Sequence, residues 1–179
     1  MLKIVVKEGE CFDEKTSQIS YAKETVLYLE HSLISLSKWE SKWHKSFLDD
    51  NKTEEEMLDY IRCMTIMQNV DPSIYKHLST ENMKEIKAYL DDPMTATTFN
   101  DSKRPRSKQK KTTAELIYYW MITLQIPVEF EKWHLNRLLT LIRVCNIENA
   151  PKKKMKKGDV LKQNAMLNEQ RKRMLNTRG

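Results

Sequence analysis

Glycine is scarce in this 179-residue chain, at three residues, and proline numbers only five. Folds built on many tight turns, such as β-sandwiches, propellers and Rossmann sheets, need more of both, which argues against them. Cysteine is also sparse: Cys11, Cys63 and Cys145 are odd in number and far apart. That pattern reads as reduced thiols of a cytosolic protein, not as a disulfide framework. Long apolar runs are missing. The best candidate, residues 116–126, is about half the ~20 residues of a membrane span. The apolar run after Met1 ends at Lys7 and Glu8, too early for the apolar region of a signal peptide. No membrane partner is expected.

Catalytic signatures are missing too. There is no glycine-rich phosphate loop, no GxGxxG and no GxSxG elbow. The histidines His31, His44, His77 and His134 and the three cysteines show no CxxC, HxxxH or HExxH spacing, so neither a metal site nor a cofactor is expected. His134 and Cys145 are eleven positions apart on one predicted helix, roughly 16 Å along its axis, so they cannot form a dyad. The chain reads as a non-enzyme.

Apolar residues make up 40% of the chain, enough to build a core. The net charge of +6 is unevenly distributed. Residues 100–113 carry net +5 and residues 151–179 net +8, which leaves −7 for the rest. An acidic body with a basic loop and a basic tail is therefore expected. Such blocks stay solvated or attract an anionic partner. Neither block holds an aromatic residue for base stacking, which weighs against a nucleic-acid module without excluding one.

Leu2–Val6 is rich in β-branched residues and reads as a strand. Thr25–Glu30 reads as a second strand or the lead into a helix, and Ile19–Tyr21 as a further strand of a small antiparallel sheet. From Ser32 the pattern turns helical, with Leu33, Leu36, Trp39 and Trp43 on one face and an end at Asp49–Asn51. Thr53–Glu56 is a capping box that opens the next helix. Asp71-Pro72 and Ser79–Asn82 are two further starts, and Asp91-Asp92-Pro93 is a stop. The Thr-rich run at 94–99 suggests extended chain, and the basic loop at 100–113 local disorder. Residues 114–124 are apolar on nearly every side and read as the central buried helix. A second apolar helix from Phe130 to Cys145 is expected to pack against it as a hairpin across Pro127. The tryptophan spacing reads as core packing.

The expected fold class is mainly α. Residues 1–150 would form a compact helical domain with a small N-terminal antiparallel β element and a basic flexible loop at 100–113. Residues 151–179 would form a basic helical tail, with Val160, Leu161, Ala165, Met166 or Leu167, and Met174 on an apolar side. The exposed cations Lys152, Lys153, Lys154, Lys156, Lys157, Arg171, Lys172 and Arg173 are the candidate partner-binding residues.

The segments LEHSLISLSKWESKWHKSFL (29–48), CMTIMQNVDPSIYKHL (63–78) and ELIYYWMITLQIPVEFEKWHLNRLLTLIRVCNIENAP (115–151) resemble a family of small proteins of tailed bacteriophages. These are tail-assembly proteins of siphovirus-like phages, of the tail-assembly-chaperone kind. The resemblance spans about residues 25–179, and Lys132–Arg137 is its most specific word. It implies a protein partner, the tape-measure protein or another tail protein, and action in the cytoplasm of the infected bacterium. It also implies release before the particle is complete. Self-association remains open. The alternatives are a connector or minor tail protein that stays in the virion, and a nucleic-acid-associated accessory protein.

Overall fold

The computed structural model describes residues 1–13, 18–99, 111–150 and 157–176. The basic segment 100–110 and residues 14–17, 151–156 and 177–179 lie outside the described residues. Among the described residues there are four strands, six α-helices and two 3-10 helices, so the fold is mainly α with a small N-terminal β element. The chain forms two units, Met1–Ile147 and Glu148–Gly179.

The β element is a two-stranded ribbon. Strand β1 (Leu2–Val6) pairs antiparallel with β4 (Thr25–Leu29), and β2 (Gly9–Asp13) pairs with β3 (Gln18–Ala22). Val6 faces Thr25 and Gly9 faces Ala22, so both halves keep one register. Opposite residues share a face. Ile4 and Val6 on β1 and Leu27 and Leu29 on β4 therefore lie on one side, and all four are buried. The free edge of β4 meets the chain that leaves α2 (Glu54–Met64). Glu30 N–H donates to the Met64 carbonyl (2.9 Å) and Ile66 N–H to the Tyr28 carbonyl (3.0 Å).

Capping boxes define three helix starts. Ser32 caps α1 (Leu33–Trp43), Thr53 caps α2, and Ser79 caps α3 (Thr80–Asp91). In each, the cap side chain accepts an N–H three residues on and the third residue's side chain returns the bond. Asp71 and Pro72 open a short 3-10 helix, Pro72–His77. The Asp91-Asp92-Pro93 stop acts as expected.

Four expectations need correction. Helix α1 ends at Trp43, not at Asp49. His44 adopts the left-handed conformation (φ 53°) and its N–H returns to the Glu40 carbonyl. The Glu40 carboxylate then takes the Phe47 N–H (2.9 Å) and pulls the chain into a turn. Residues 94–99 are not extended throughout: Met94 is left-handed (φ 49°), and the Asp92 and Thr95 side chains accept the N–H groups of Met94 and Thr97. Helix α4 (Ala114–Thr123) is not the central buried helix. Only Ala114, Ile117 and Met121 are buried, while Tyr119 is 61% and Ile122 76% exposed. Its sequence is apolar all round, but one neighbouring helix can cover only one stripe. That neighbour is α1, so α4 and α5 (Leu135–Glu148) are not each other's main packing partner and the expected hairpin gives way. Pro127 starts a second 3-10 turn, Val128–Lys132, which also lies against α1.

The core gathers where β1, β4, α1, α2, α4 and α5 meet. Trp39 is fully buried, and its Nε1–H donates to the Glu56 carbonyl (2.8 Å). Tyr60 stacks on Phe47 with centroids 3.7 Å apart. Trp43 is half-buried and donates to Asp59 (2.8 Å), and Trp133 is half-buried between Phe130 and Arg137. One buried carboxylate ties distant segments together: Glu40 accepts both Phe47 N–H and Ala114 N–H (2.7 Å). Next to it, Asp49 accepts Thr112 N–H (2.6 Å) and Asp50 pairs with Lys111 (2.6 Å), so the chain enters α4 through a polar clasp.

Helix α6 (Lys157–Leu175) belongs to the second unit. Every described side chain from Leu161 to Asn176 is exposed.

Candidate functional site

A concavity of the body lies between α3 and the segment that joins α1 to α2. Helix α3 turns Ile86 and Tyr89 inward, which leaves Met83 and Leu90 half-buried and Lys84 and Lys87 exposed. The turn after α1 supplies the facing wall with Phe47, Leu48 and Lys52, and Met57 extends it from the first turn of α2. The cavity between them measures about 720 Å³. Its far end is closed by Asp91 and Asn136. The Asn136 amide donates to the carbonyls of Leu90 (2.9 Å) and Asp92 (2.8 Å), which satisfies acceptors that the end of α3 leaves open.

The walls are apolar and the rim is basic. The Lys52 ammonium donates to the Asp50 carbonyl (2.9 Å) and sits 4.6 Å from the Phe47 ring centroid. Lys84 and Lys87 make no ion pair among the described residues. They are spaced i, i+3, so they lie side by side on α3.

Beneath this groove is a buried polar cluster. His31 lines the groove floor and is 3% exposed. Its Nδ1 is 2.6 Å from the Tyr60 hydroxyl. Its ring meets the His134 ring edge-on, with centroids 5.0 Å apart. His134 Nε2–H donates to the Tyr89 carbonyl (3.0 Å), since a carbonyl can only accept. In the neutral ring Nδ1 is then a bare acceptor, and it is buried with no partner. The Tyr89 hydroxyl donates to the Glu30 carboxylate (2.6 Å), whose other oxygen holds the Met1 amino group (2.9 Å). Burial, and then the neighbouring His134, depress the His31 pKa to about 3. Burial also lowers that of His134, against the pull of the Tyr89 carbonyl and Glu30. Burial raises the Tyr89 phenol, as does its bond to Glu30. Two neutral imidazoles packed on tyrosines form a hydrogen-bonding base under the groove. Among the described residues no group of three His, Cys, Asp or Glu side chains could hold a metal ion.

The sequence-derived candidates lie elsewhere. Lys152, Lys153, Lys154 and Lys156 are outside the described residues, and Lys157 is the first residue of α6. Arg171, Lys172 and Arg173 are exposed near the end of α6, where Arg173 pairs with Glu169 (2.9 Å). Leu161, Leu167, Met174 and Leu175 fall on one side of α6, with Lys162, Glu169 and Arg173 opposite. The amphipathic character is weaker than expected, because Met166 lies on the charged side and Arg171 interrupts the apolar one.

The groove was missed by sequence reasoning. Its local signal is Met83-Lys84 and Ile86-Lys87, cations alternating with apolar residues along α3. That signal is weak, because such alternation also describes an ordinary half-exposed helix. The His31–His134 contact has no local signal.

Among the described residues no helix is long and apolar enough to cross a membrane. No protein-family model, characterised protein or solved structure matches this chain.

Proposed function

We propose that this chain is a protein-binding module with no catalytic task. Its particular role is that of a tail-assembly chaperone or morphogenesis factor that holds the tape-measure protein while a phage tail is built. The observation that carries the class is α6. This helix has 19 residues and exposes five large apolar side chains, from Leu167 at 42% to Met174 at 82%. In proteins most helical stability comes from packing of an apolar side, more than from propensity. A helical partner that covers Leu161, Leu167, Met174 and Leu175 supplies that packing. Arg171 and Lys172 beside them favour an acidic stretch of that partner. The particular role rests on the resemblance of segments 29–48, 63–78 and 115–151 to the phage family.

The test is capture from infected cells of the tagged full chain and of its Arg171→Glu/Lys172→Glu/Arg173→Glu variant, read by mass spectrometry alongside purified virions. The expected result is tape-measure protein bound to the native chain, lost from the variant, and no copy of this chain in virions. Equal capture by both removes the role of α6. A fixed copy number in virions replaces the chaperone with a structural component.

A further inference from the structure

We infer that the α3 groove is a second interaction surface, and that its occupant is an acidic amphipathic helix. It goes beyond the role given to α6, because it concerns the first unit and a different set of residues.

The shape and chemistry of the groove define the occupant. One wall is α3 and the other is the Phe47–Lys52 turn with Met57, around a cavity of about 720 Å³. Both walls are apolar: Phe47 and Leu48 on one side, Ile86 and Leu90 on the other. Met57 and Met83 face the space from opposite walls, and methionine repacks readily around an incoming side chain. An apolar trough beside a helix accepts the apolar side of another helix, read as anchors at i, i+3, i+4 and i+7.

Charge selects among such helices. The body outside the two basic blocks carries net −7, so cations on this surface are not part of a general basic character. Yet Lys52, Lys84 and Lys87 all border the groove, against the single acid Asp91. Lys84 and Lys87 carry no ion pair among the described residues, so both are available to an incoming carboxylate. Asp91 and the carbonyl end of α3 make the far end of the groove negative. The occupant therefore carries its carboxylates over Lys84 and Lys87 and a neutral or basic residue near Asp91. The α6 of a second copy is a poor fit, since its charge has the same sign as the rim.

Two synthetic helical peptides test this, each roughly five turns long with leucines at i, i+3, i+4 and i+7. One is flanked by glutamates and the other by lysines. Binding to the full chain is read by fluorescence anisotropy at low and moderate salt. The glutamate peptide is expected to bind and the lysine peptide not. In Lys84→Glu/Lys87→Glu the glutamate peptide weakens about tenfold or more while the lysine peptide gains. Both positions are exposed, so circular dichroism of the variant should match the native chain. Met83→Lys provides a second block from the apolar wall and should abolish binding of the glutamate peptide. Equal affinity for both peptides, no binding of either, or indifference to the charge swap overturns the proposal. So does a concentration-dependent dimer that excludes the peptide, which would assign the groove to a second copy. The Arg171→Glu/Lys172→Glu/Arg173→Glu variant separates the two readings. It should keep its affinity for the glutamate peptide while losing the tape-measure protein.

Discussion

Acidification from about pH 7.5 to about pH 5 should destabilise this protein through His31. At the upper pH the imidazole is neutral in both the folded and the unfolded chain. Below the ordinary histidine value of 6.5 the unfolded chain binds a proton at position 31, and the folded chain refuses it until about 3. The unfolded state binds more protons throughout that window, so stability falls as pH falls. The loss begins near 6.5 and is complete only below about 3. Each pH unit inside the window costs about 1.4 kcal/mol, so about 2 kcal/mol is gone at about pH 5. That is a sizeable part of the roughly 5–15 kcal/mol typical of a folded domain. His134 adds to the loss, because its pKa is lowered as well. The groups facing the pair are Glu30, Asp92, the Met1 amino group, Tyr60 and Tyr89, and the Glu30 carboxylate only partly offsets burial at His134. Urea unfolding read by circular dichroism at several pH values measures the slope. His31→Gln keeps a polar group beside the Tyr60 hydroxyl and cannot titrate, so its stability should fall by about 2 kcal/mol less over the same interval. A stability that is flat from about pH 7.5 to about pH 5, or an identical slope in His31→Gln, would refute the claim that His31 is held neutral by burial.

Other outcomes follow from the packing. Trp39→Ala removes a fully buried ring and its bond to the Glu56 carbonyl, and should cost roughly 3–5 kcal/mol in urea unfolding. A loss under about 1 kcal/mol would mean that the ring is not central to the core. Glu40→Ala leaves Phe47 N–H and Ala114 N–H without their acceptor. The expected cost is about 2–5 kcal/mol, with faster hydrogen exchange at those two amides first; unchanged exchange would dismiss the clasp. Ile122→Ser should change stability by no more than about 0.5 kcal/mol, since the side chain is 76% exposed. A loss of several kcal/mol there would restore α4 as a buried central helix.

The outcome for α4 shows where reading the chain reaches its limit. Residues 116–122 contain no charged residue, and that pattern is the usual mark of an enclosed helix. How much of a helix is enclosed depends on how many elements surround it, and that number is not encoded in its own residues. Helix α1 had the opposite fault. Its apolar spacing continues to Phe47 and Leu48, but a left-handed residue at His44 and the Glu40 carboxylate bring those side chains back as a turn. Nothing within a few residues of His44 announces that, because one of the two partners of Glu40 lies 74 positions away.

What the sequence determined by itself is the inventory of elements and most of their starts. Ser32, Thr53 and Ser79 act through bonds to residues three positions on, and Asp92-Pro93 ends α3 by the proline's own geometry. The alternation of Ile4 and Val6 with exposed neighbours is likewise a local property of a strand. The mainly helical class followed from those signals. The candidate sites did not. Exposure of Arg171, Lys172 and Arg173 could be read from their charge, whereas the groove needs α3, the Phe47–Lys52 turn and Met57 to meet in space. The contact of His31 with His134, the bond from His134 to the Tyr89 carbonyl 45 positions away, and the depth at which both rings lie were decided by tertiary packing alone. Caps and turns are set by forces acting over a few residues. Burial is set by the sum of many contacts across the chain, and only the assembled fold fixes that sum.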